Sequence, residues 1–163
     1  AKFVSENDFF GCGIGGALVS KQKMHEILDW IHPHLDPAKP RHLFGIGTID
    51  EIFEAVERGV DTFDCVSPTR LARMGYVFTQ KQRLNITKSM YLTNKNPIDK
   101  KCSCYACQNF SLGYLCHLFR SRELLAYRLA TIHNLTFMAR LMKKIREAIE
   151  EDRFTKLKLA WLI

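Results

Sequence analysis

Short apolar segments alternate with amphipathic segments through the first half of the chain. Apolar runs cover Phe9–Leu18, His42–Gly47 and Thr62–Val66, and glycines occur towards the ends of the first two. Between these runs, Met24–His32 and Thr48–Gly59 carry apolar residues at the spacing of an amphipathic helix. The order strand, helix, strand, helix, strand predicts βαβ units and therefore a parallel sheet.

Local signals support these segments and add a hairpin after them. Thr48 and Glu51 have the spacing of a capping box, so the second helix is expected to begin there. Further along, Gly75–Thr79 and Leu84–Thr87 predict two strands around a basic turn that begins at Lys81. The polar residues that follow, up to position 101, are typical of a loop.

The last third of the chain has a helical period. The period returns at Phe110, and we expect it to be interrupted at His133 and Asn134, where Asn134 would cap a new helix. The segment Leu135–Glu150 is the clearest amphipathic helix, and its apolar side is predicted to carry Phe137, Met138, Leu141, Met142, Ile145 and Ile149.

Composition and charge narrow the class of partner. The chain has 163 residues, of which 47% are hydrophobic, enough for one domain with a sizeable core. Its formal net charge of +7 favours an anionic partner, nucleic acid before an anionic membrane.

No run of eighteen apolar residues is present, so we expect no membrane-spanning helix. The first residues contain neither an initiator Met nor a secretory pattern, so we expect a piece of a longer cytoplasmic protein.

Three closely spaced cysteines form a metal-binding pattern. Cys102, Cys104 and Cys107 have the spacing C-x-C-x-x-C, which allows three thiolates to hold one soft cation, usually zinc. The fourth ligand is His133 or His117, and we favour His133 because it stands at the predicted break between helices. Four protein ligands would make the zinc structural. Free cysteines and an iron–sulfur cluster are the alternatives.

The remaining cysteines are scattered rather than clustered. Cys12, Cys65 and Cys116 lie among apolar residues and are expected in the core. Six cysteines in a chain of this length are too few for a disulfide scaffold, which fits a reducing compartment.

A single acid near the end of an apolar strand is the strongest candidate for catalysis. Asp64 belongs to the predicted strand that starts at Thr62, and burying a carboxylate there is unfavourable unless it is needed. It is a candidate nucleophile, general base or metal ligand, and the alternative is a buried Asp satisfied by backbone amides. Arg70 and Arg73 follow it and could hold phosphates or stack on bases, although each alone is typical of a solvated loop.

Glycine turns are expected near this acid. Ligand sites of parallel α/β folds lie at the carboxyl ends of the strands. Gly15 and Gly16 follow the first predicted strand and could present backbone amides to a flat ligand, with a plain tight turn as the alternative. Asp64 and both glycine turns are therefore expected on one edge of the sheet.

Taken in order, these motifs resemble the tRNA-guanine transglycosylase family, also called queuine tRNA-ribosyltransferase. The resemblance rests on the run Phe63–Gly75 (FDCVSPTRLARMG), the C-x-C-x-x-C motif, a histidine at position 133 and the segment Leu43–Gly47. It extends over essentially the whole chain. It implies a (β/α)8 TIM barrel with an inserted zinc-binding subdomain, of which this chain would be the C-terminal portion.

The resemblance also implies a division of the chain. Residues 1–80 would form late βα units of the barrel with the nucleophile strand, residues 81–133 the zinc subdomain, and residues 134–163 the closing C-terminal helix. The earlier half of the family carries a second catalytic aspartate, for which this chain has no matching segment, so the fragment is expected to be inactive alone.

The implied activity is base exchange at the wobble position of tRNA. Asp64 would attack the ribose and form a covalent intermediate, after which a 7-deazaguanine such as preQ1 or queuine replaces guanine. The base would lie against Gly15, Gly16 and Phe44. The resemblance assigns contacts with the anticodon loop to Gly45, Ile46, Gly47, Thr48, Ile49, Asp50, Glu51, Thr69, Arg70, Leu71, Ala72 and Arg73.

Further implications concern the metal and the partners. The resemblance assigns one structural zinc ion to Cys102, Cys104, Cys107 and His133, and it implies a homodimer through the zinc region. Two alternatives remain at this stage: a non-catalytic zinc-containing RNA-binding subunit, and an unrelated α/β enzyme with a structural zinc. Asp64 favours the catalytic reading, because a subunit that only binds RNA needs no nucleophile.

Overall fold

The computed structural model describes residues 1–16, 20–80 and 82–162. The chain forms two compact units, Ala1–Ser67 and Pro68–Ile163. The end of the predicted Phe9–Leu18 strand and Lys81 of the predicted turn lie outside the described residues. The three-part division into residues 1–80, 81–133 and 134–163 stays a prediction.

The first unit is built on a small parallel sheet. Its strands are β1 (Cys12–Ile14), β2 (Arg41–Phe44) and β3 (Thr62–Asp64), and its helices are α1 (Lys2–Ser5), α2 (Lys21–Ile31) and α3 (Ile49–Glu57). The strand order is β1-β2-β3, and both pairs are parallel. The predicted βαβ order and parallel sheet are therefore confirmed, whereas closure into a TIM barrel stays a prediction.

The first predicted strand is shorter in the structure. Only Cys12–Ile14 pairs with β2, and Phe10 is 90% exposed. The apolar run before Cys12 is thus not part of the sheet, because no neighbouring strand extends far enough to pair with it. The helices match their patterns better, since the Thr48 side chain caps α3 by accepting a hydrogen bond from the Glu51 N–H at 3.4 Å.

The core of the first unit lies where α2 and α3 pack beside the sheet. Its buried residues come from both helices and from the strands and their ends: Ile14, Met24, Leu28, Leu43, Ile46, Ala55 and Val60. Because Leu43 is completely buried at the centre of β2, the strand is held tightly, and the residues after it have a defined position at the sheet edge.

The second unit combines a hairpin with helices. The strands β4 (Tyr76–Phe78) and β5 (Arg83–Asn85) pair antiparallel, as predicted. The helices are α4 (Ser67–Arg73), which begins at the junction of the units, α5 (Tyr105–Asn109), α6 (Leu112–Arg120), α7 (Leu124–Glu150) and α8 (Phe154–Leu162). Helix α4 replaces the expected loop, and Pro68 in its first turn is compatible with a helix start.

The predicted interruption at His133 and Asn134 is wrong. Helix α7 runs without a break for 27 residues, and both side chains are fully buried in its middle. The predicted apolar side is correct for Phe137, Leu141 and Ile145, whereas Ile149 is 52% exposed and Ala148 is buried in its place. Polar residues at 133 and 134 thus mark buried contacts, not a helix end.

The core of the second unit includes the three clustered cysteines. Cys102, Cys104 and Cys107 are buried together with apolar residues of α4–α7 and the hairpin, among them Ala72, Val77, Ile86, Leu115 and Leu129. No helix in the described part of the chain combines the length and the apolar character needed to cross a membrane.

Candidate functional site

Parallel pairing brings the ends of β1, β2 and β3 to one edge of the sheet. Ile14 pairs with Leu43, and Phe44 pairs with Asp64. Asp64 therefore lies directly beside Phe44, and Gly15 follows immediately after β1. The structure places these predicted residues together at the carboxyl edge, as the strand pattern predicts.

Asp64 is exposed rather than buried. Its side chain is 62% accessible, and β3 carries exposed residues at both Thr62 and Asp64. The described chain therefore does not show the alternative of a buried Asp satisfied by backbone amides. An exposed carboxylate at a sheet edge is accessible to a ligand.

One oxygen of Asp64 has two hydrogen-bond partners in the first unit. Oδ1 lies 3.1 Å from His42 Nε2 and accepts a hydrogen bond from the Gly45 N–H at 3.3 Å. Gly45 has φ +75°, a conformation that favours glycine, and its amide N–H faces the carboxylate. The other ring nitrogen, His42 Nδ1, lies 2.8 Å from the hydroxyl of Thr62.

Phe44 provides an aromatic surface beside the acid. Its ring is 49% exposed and stands edge-on to the His42 ring, with centroids 4.7 Å apart. On the neighbouring strand, a side chain at Gly13 would approach the Phe44 ring to 2.7 Å. The absence of a side chain at Gly13 therefore provides the space that the Phe44 ring occupies. The sequence analysis did not identify this role. Gly16 has φ +76° and open space around it in the described structure.

The segment from Gly45 to Glu51 leads from this edge into α3. Ile46 is buried in the core of the first unit, whereas Thr48 is exposed at the helix start. Asp50 accepts a hydrogen bond from Lys21 at 2.8 Å. Burial opposes ionisation of Asp50, but hydrogen bonds from Lys21 and Thr48 outweigh it and lower its pKa. Its carboxylate is thus engaged within the protein.

The second predicted RNA-binding stretch lies on α4. Arg70 and Arg73 are exposed, Leu71 is half-buried, and Ala72 is fully buried in the core of the second unit. The two arginines are the cationic side chains of this stretch, and both are exposed. Their role, like that of the other predicted site residues, stays a prediction.

The three cysteines and His133 form one buried cluster in the second unit. One potential ligand atom from each of Cys102, Cys104, Cys107 and His133 lies within 4.8 Å of the others. His133 Nδ1 is 3.3 Å from Cys107 Sγ and 3.7 Å from Cys104 Sγ. The structure thus favours His133 over His117, which is exposed on α6. The four residues could hold one metal ion.

Burial of the cluster disfavours the charged forms of its thiols and of its imidazole unless a cation is bound. Burial raises the pKa of the Cys104 and Cys107 thiols and lowers the pKa of His133. Three sulfur atoms and a neutral imidazole in a buried space are suitable ligands for a soft cation, which would stabilise the thiolates.

Helix α7 and strand β4 orient the histidine. His133 Nε2 lies 2.8 Å from the Phe78 carbonyl oxygen, which can only accept, so Nε2 carries the proton and Nδ1 is free to be a ligand. The next residue, Asn134, accepts from the Phe78 N–H and donates to the Pro68 and Tyr76 carbonyls. The position of His133 is therefore set by the buried contacts of a continuous helix.

A partly exposed row of aromatic rings, with Phe110 half-buried at its centre, lies next to the cluster. It consists of Tyr105, Phe110 and Tyr114, where Tyr105 is 58% and Tyr114 is 41% exposed. Phe110 stacks on Tyr114 with centroids 5.4 Å apart and meets Tyr105 edge-on at 5.7 Å. Because Cys104 is the N-cap of α5, the row and the cluster belong to the same part of the second unit.

A cavity in the second unit has none of the predicted base-site residues in its lining. It measures about 820 Å³ and lies in the second unit, between the hairpin, α7 and α8. Lys100, Lys101, Arg140 and Lys144 contribute cationic groups to its lining. None of the site residues predicted from sequence lines it.

Sequence reasoning missed the residues that support Asp64. His42 and Thr62 contact each other across β2 and β3, where they are direct partners in the strand register. Side chains alternate along β3, so Thr62 and Asp64 lie on one face, and this pattern is the sequence feature that points to Thr62. Identification of His42 on β2 requires the register of the parallel pair, which strand patterns do not reveal.

Comparison with known proteins identifies the family of the chain. The family model described as queuine tRNA-ribosyltransferase matches residues 1–162. The queuine tRNA-ribosyltransferase of Caldanaerobacter subterraneus subsp. tengcongensis is 48% identical over 99% of this chain and 44% of the relative. That of Herpetosiphon aurantiacus is also 48% identical, over 99% of this chain and 42% of the relative.

The alignment also shows how much of such a protein is present. The chain spans less than half of the length of the curated relatives that it matches. The match nevertheless extends along almost all of the chain and includes both the sheet edge and the cysteine cluster. The chain therefore belongs to the queuine tRNA-ribosyltransferase family.

Proposed function

We propose that this chain is the C-terminal part of an enzyme that replaces guanine at the wobble position of tRNA with a 7-deazaguanine. Asp64 is the nucleophile of this reaction. The observation that carries the proposal is an accessible carboxylate at the carboxyl edge of a parallel sheet, with one oxygen held by His42 and Gly45. Membership of the family supports the substrate class.

In the first step, Asp64 attacks C1′ of the ribose. A bond forms between C1′ and a carboxylate oxygen while the bond between C1′ and N9 of guanine breaks. The electron pair leaves with guanine, which takes a proton from an acid outside this chain. The target nucleotide has to leave the stack of the anticodon loop to reach the sheet edge.

In the second step, the incoming base displaces Asp64. Its N9 attacks C1′, the ester bond to the carboxylate breaks, and the N9 proton passes to a base outside this chain. Two displacements at one carbon retain the configuration of the ribose, as in retaining glycosidases. Phe44, Gly15 and Gly16 bind the flat base, with the exposed Phe44 ring as a stacking surface.

The anticodon loop contacts the segments after β2 and β3. The exposed arginines Arg70 and Arg73 bind phosphates or stack on bases, and the net charge of +7 supports a polyanionic partner. Thr48 is exposed in the segment from Gly45 to Glu51, whereas Ile46 and Ala72 support their segments from the cores. We place the enzyme in the cytoplasm, a reducing compartment that fits the six cysteines of the chain, which form no disulfide with one another.

The cysteine cluster holds one structural zinc ion. In a tetrahedral site with Zn–S of about 2.3 Å and Zn–N of about 2.0–2.1 Å, sulfur and nitrogen lie about 3.6 Å apart. The distances of 3.3 and 3.7 Å from His133 Nδ1 to two sulfur atoms bracket that value. When bound, the ion supplies no chemistry to the reaction, because protein atoms fill all four positions.

The enzyme is a homodimer that associates through the zinc region. The partly exposed aromatic row of Tyr105, Phe110 and Tyr114 beside the cluster supports this proposal. Aromatic residues are enriched in the centres of protein interfaces, where they bury a large area.

Exchange of labelled guanine tests the function. Full-length protein that contains this chain is expected to incorporate labelled guanine into unmodified tRNA, and Asp64→Asn is expected to abolish incorporation, because the amide is not a nucleophile. Asp61→Asn is the matched control immediately before the same strand and should remain active. The 163-residue chain alone should be inactive, since it contains no candidate for the second aspartate.

Two results would contradict the proposal. Undiminished exchange by Asp64→Asn would exclude Asp64 as the nucleophile. Binding of tRNA without exchange by the full-length wild type would favour the second candidate, a non-catalytic zinc-containing RNA-binding subunit. Accumulation of a covalent tRNA adduct that depends on Asp64 would separate the two candidates directly.

A further inference from the structure

We infer that His42 is the positioning residue for Asp64, that Thr62 orients the His42 ring, and that Oδ2 of Asp64 is the attacking oxygen. This inference rests on the proposed function, because it concerns how the proposed nucleophile is held. His42 and Thr62 belong to the same sheet as Asp64 and face the same side of it.

The strand register brings the three side chains together. His42 is the direct partner of Thr62 in the pairing of β2 with β3, and Asp64 is two residues further along β3. Residues two apart in a strand share a face, so Thr62 and Asp64 flank the imidazole. The ring lies 2.8 Å from the Thr62 hydroxyl through Nδ1 and 3.1 Å from Asp64 Oδ1 through Nε2.

The Asp64 carboxylate, at one end of this series of hydrogen bonds, determines which ring nitrogen carries the proton. An ionised carboxylate can only accept, so Nε2 of His42 carries the proton that it donates to Asp64. In the neutral ring, Nδ1 then has a lone pair, and the Thr62 hydroxyl donates to it. With the ring neutral, the hydrogen bonds run in one direction, from Thr62 through His42 to Asp64, and this direction corresponds to one tautomer of the ring.

The two oxygens of Asp64 have different surroundings. Oδ1 accepts hydrogen bonds from His42 and from the Gly45 N–H at 3.3 Å. Oδ2 accepts no hydrogen bond from the residues that the structure describes. Donors on Oδ1 reduce the charge available on that oxygen and fix the plane of the carboxylate. Oδ2 keeps its lone pairs for C1′, where a C–O bond forms as the bond to guanine N9 breaks.

An exposed acid needs such support more than a buried one. With 62% of its side chain accessible, Asp64 lacks packing that would restrict its rotamers, and the carboxylate would sample several orientations. The His42 ring is itself held by Thr62 and by the edge-on contact with Phe44 at 4.7 Å. Because Phe44 is also the proposed stacking surface for the base, His42 links the position of the base to that of the nucleophile.

The test compares matched pairs of variants in the full-length protein. In His42→Ala the hydrogen bond to Oδ1 is lost, whereas in His42→Gln the amide nitrogen can still donate from a similar place. Thr62→Val removes the hydroxyl but keeps the branched shape, and Thr62→Ser keeps the hydroxyl. The measured quantities are kcat and KM for guanine exchange, tRNA affinity and melting temperature.

We expect His42→Ala to lower kcat about 10- to 100-fold with less than about threefold change in KM for tRNA, as for a misplaced reacting group. His42→Gln should recover most of that loss. Thr62→Val should lower kcat by a smaller factor than His42→Ala, and Thr62→Ser should remain close to the wild type.

The outcomes separate this inference from the proposed function. If the wild type exchanges guanine and Asp64→Asn does not, but His42→Ala has normal kcat, the positioning role is excluded and the function stands. Equal losses in His42→Ala and His42→Gln, with normal melting temperatures, would also exclude it. Absence of exchange by the folded wild type would instead overturn the proposed function on which the inference depends.

Discussion

Asn134 is a buried amide that uses its hydrogen-bonding groups to join three backbone positions. Its side-chain oxygen accepts from the Phe78 N–H at 3.0 Å, and its nitrogen donates to the Pro68 and Tyr76 carbonyls at 2.9 and 3.0 Å. The side chain has no exposed surface. Each of the three backbone groups would lose this hydrogen bond if the amide were removed.

We expect Asn134→Ala to destabilise the protein by about 2–4 kcal/mol, because a buried N–H without a partner costs about 1–3 kcal/mol and further hydrogen bonds are lost. Denaturant unfolding measures the change. Asn109→Ala is the matched control, since Asn109 is exposed and makes one hydrogen bond to the Tyr105 carbonyl; it should change stability by less than about 1 kcal/mol. Similar values for both variants would contradict the role given to Asn134.

At the level of residues, short-range spacing was predictable and long-range pairing was not. The cluster of Cys102, Cys104 and Cys107 was identifiable because three ligands lie within six positions. The residue type of Asn134 predicts a helix cap, because Asn favours that position. Its true partners are more than fifty residues away in sequence, at the hairpin and α4, and no local pattern records them.

At the level of elements, α5 and α7 meet at the cysteine cluster. Helix α5 has five residues, too few to be stable alone. Cys104 caps it by accepting from the Cys107 N–H at 3.4 Å, and Cys107 is its third residue. A short helix with one proposed ligand on it and another at its N-cap therefore depends on the cluster for its position.

Removal of the proposed zinc should destabilise this part of the protein. We expect elemental analysis to give about one zinc per chain for the wild type and none for Cys104→Ala. The melting temperature should fall by about 6–20 °C on chelation, the change expected when about 3–5 kcal/mol is lost from a domain of 150–250 residues.

The control for this prediction is another buried cysteine. Cys116 is fully buried on α6 and donates to the Lys88 carbonyl at 3.3 Å, outside the cluster. Cys116→Ala should keep one zinc per chain. A wild type that folds without metal and melts at the same temperature after chelation would refute the zinc site.

Periodicity predicted the elements whose core face is apolar throughout. Helices α2 and α3 and the hairpin appeared where the pattern placed them. It was wrong at α7, because two buried polar residues interrupt the apolar stripe and resemble a helix end in sequence. The single helix persists because His133 and Asn134 both have hydrogen-bond partners on β4, so their burial is satisfied.

At the level of the whole molecule, the proposed dimer assigns a partner to the aromatic row beside the cluster. Tyr114 stands at its edge, 41% exposed and stacked on Phe110. A carboxylate in the centre of an apolar interface is strongly unfavourable. Dimer formation through the aromatic row should therefore be sensitive to one charge introduced into the row.

We expect Tyr114→Glu to convert the full-length dimer to a monomer, as measured by light scattering after size exclusion. Leu159→Glu is the control, since Leu159 is 59% exposed on α8 and not part of the row. Zinc content should stay at about one per chain in both variants, which separates dissociation from unfolding. A Tyr114→Glu protein that remains dimeric would place the interface elsewhere.

The unbroken α7 has a consequence for how the chain tolerates changes in length. Each residue of an α-helix adds about 100° of rotation and about 1.5 Å of rise. Inserting or deleting one residue between Leu124 and His133 would turn the imidazole away from the sulfur atoms or the preceding apolar residues away from their core. The nine helical positions before His133 thus fix the rotation and the rise of His133 relative to the start of α7. Length variation in this region belongs in the loops on either side of the helix.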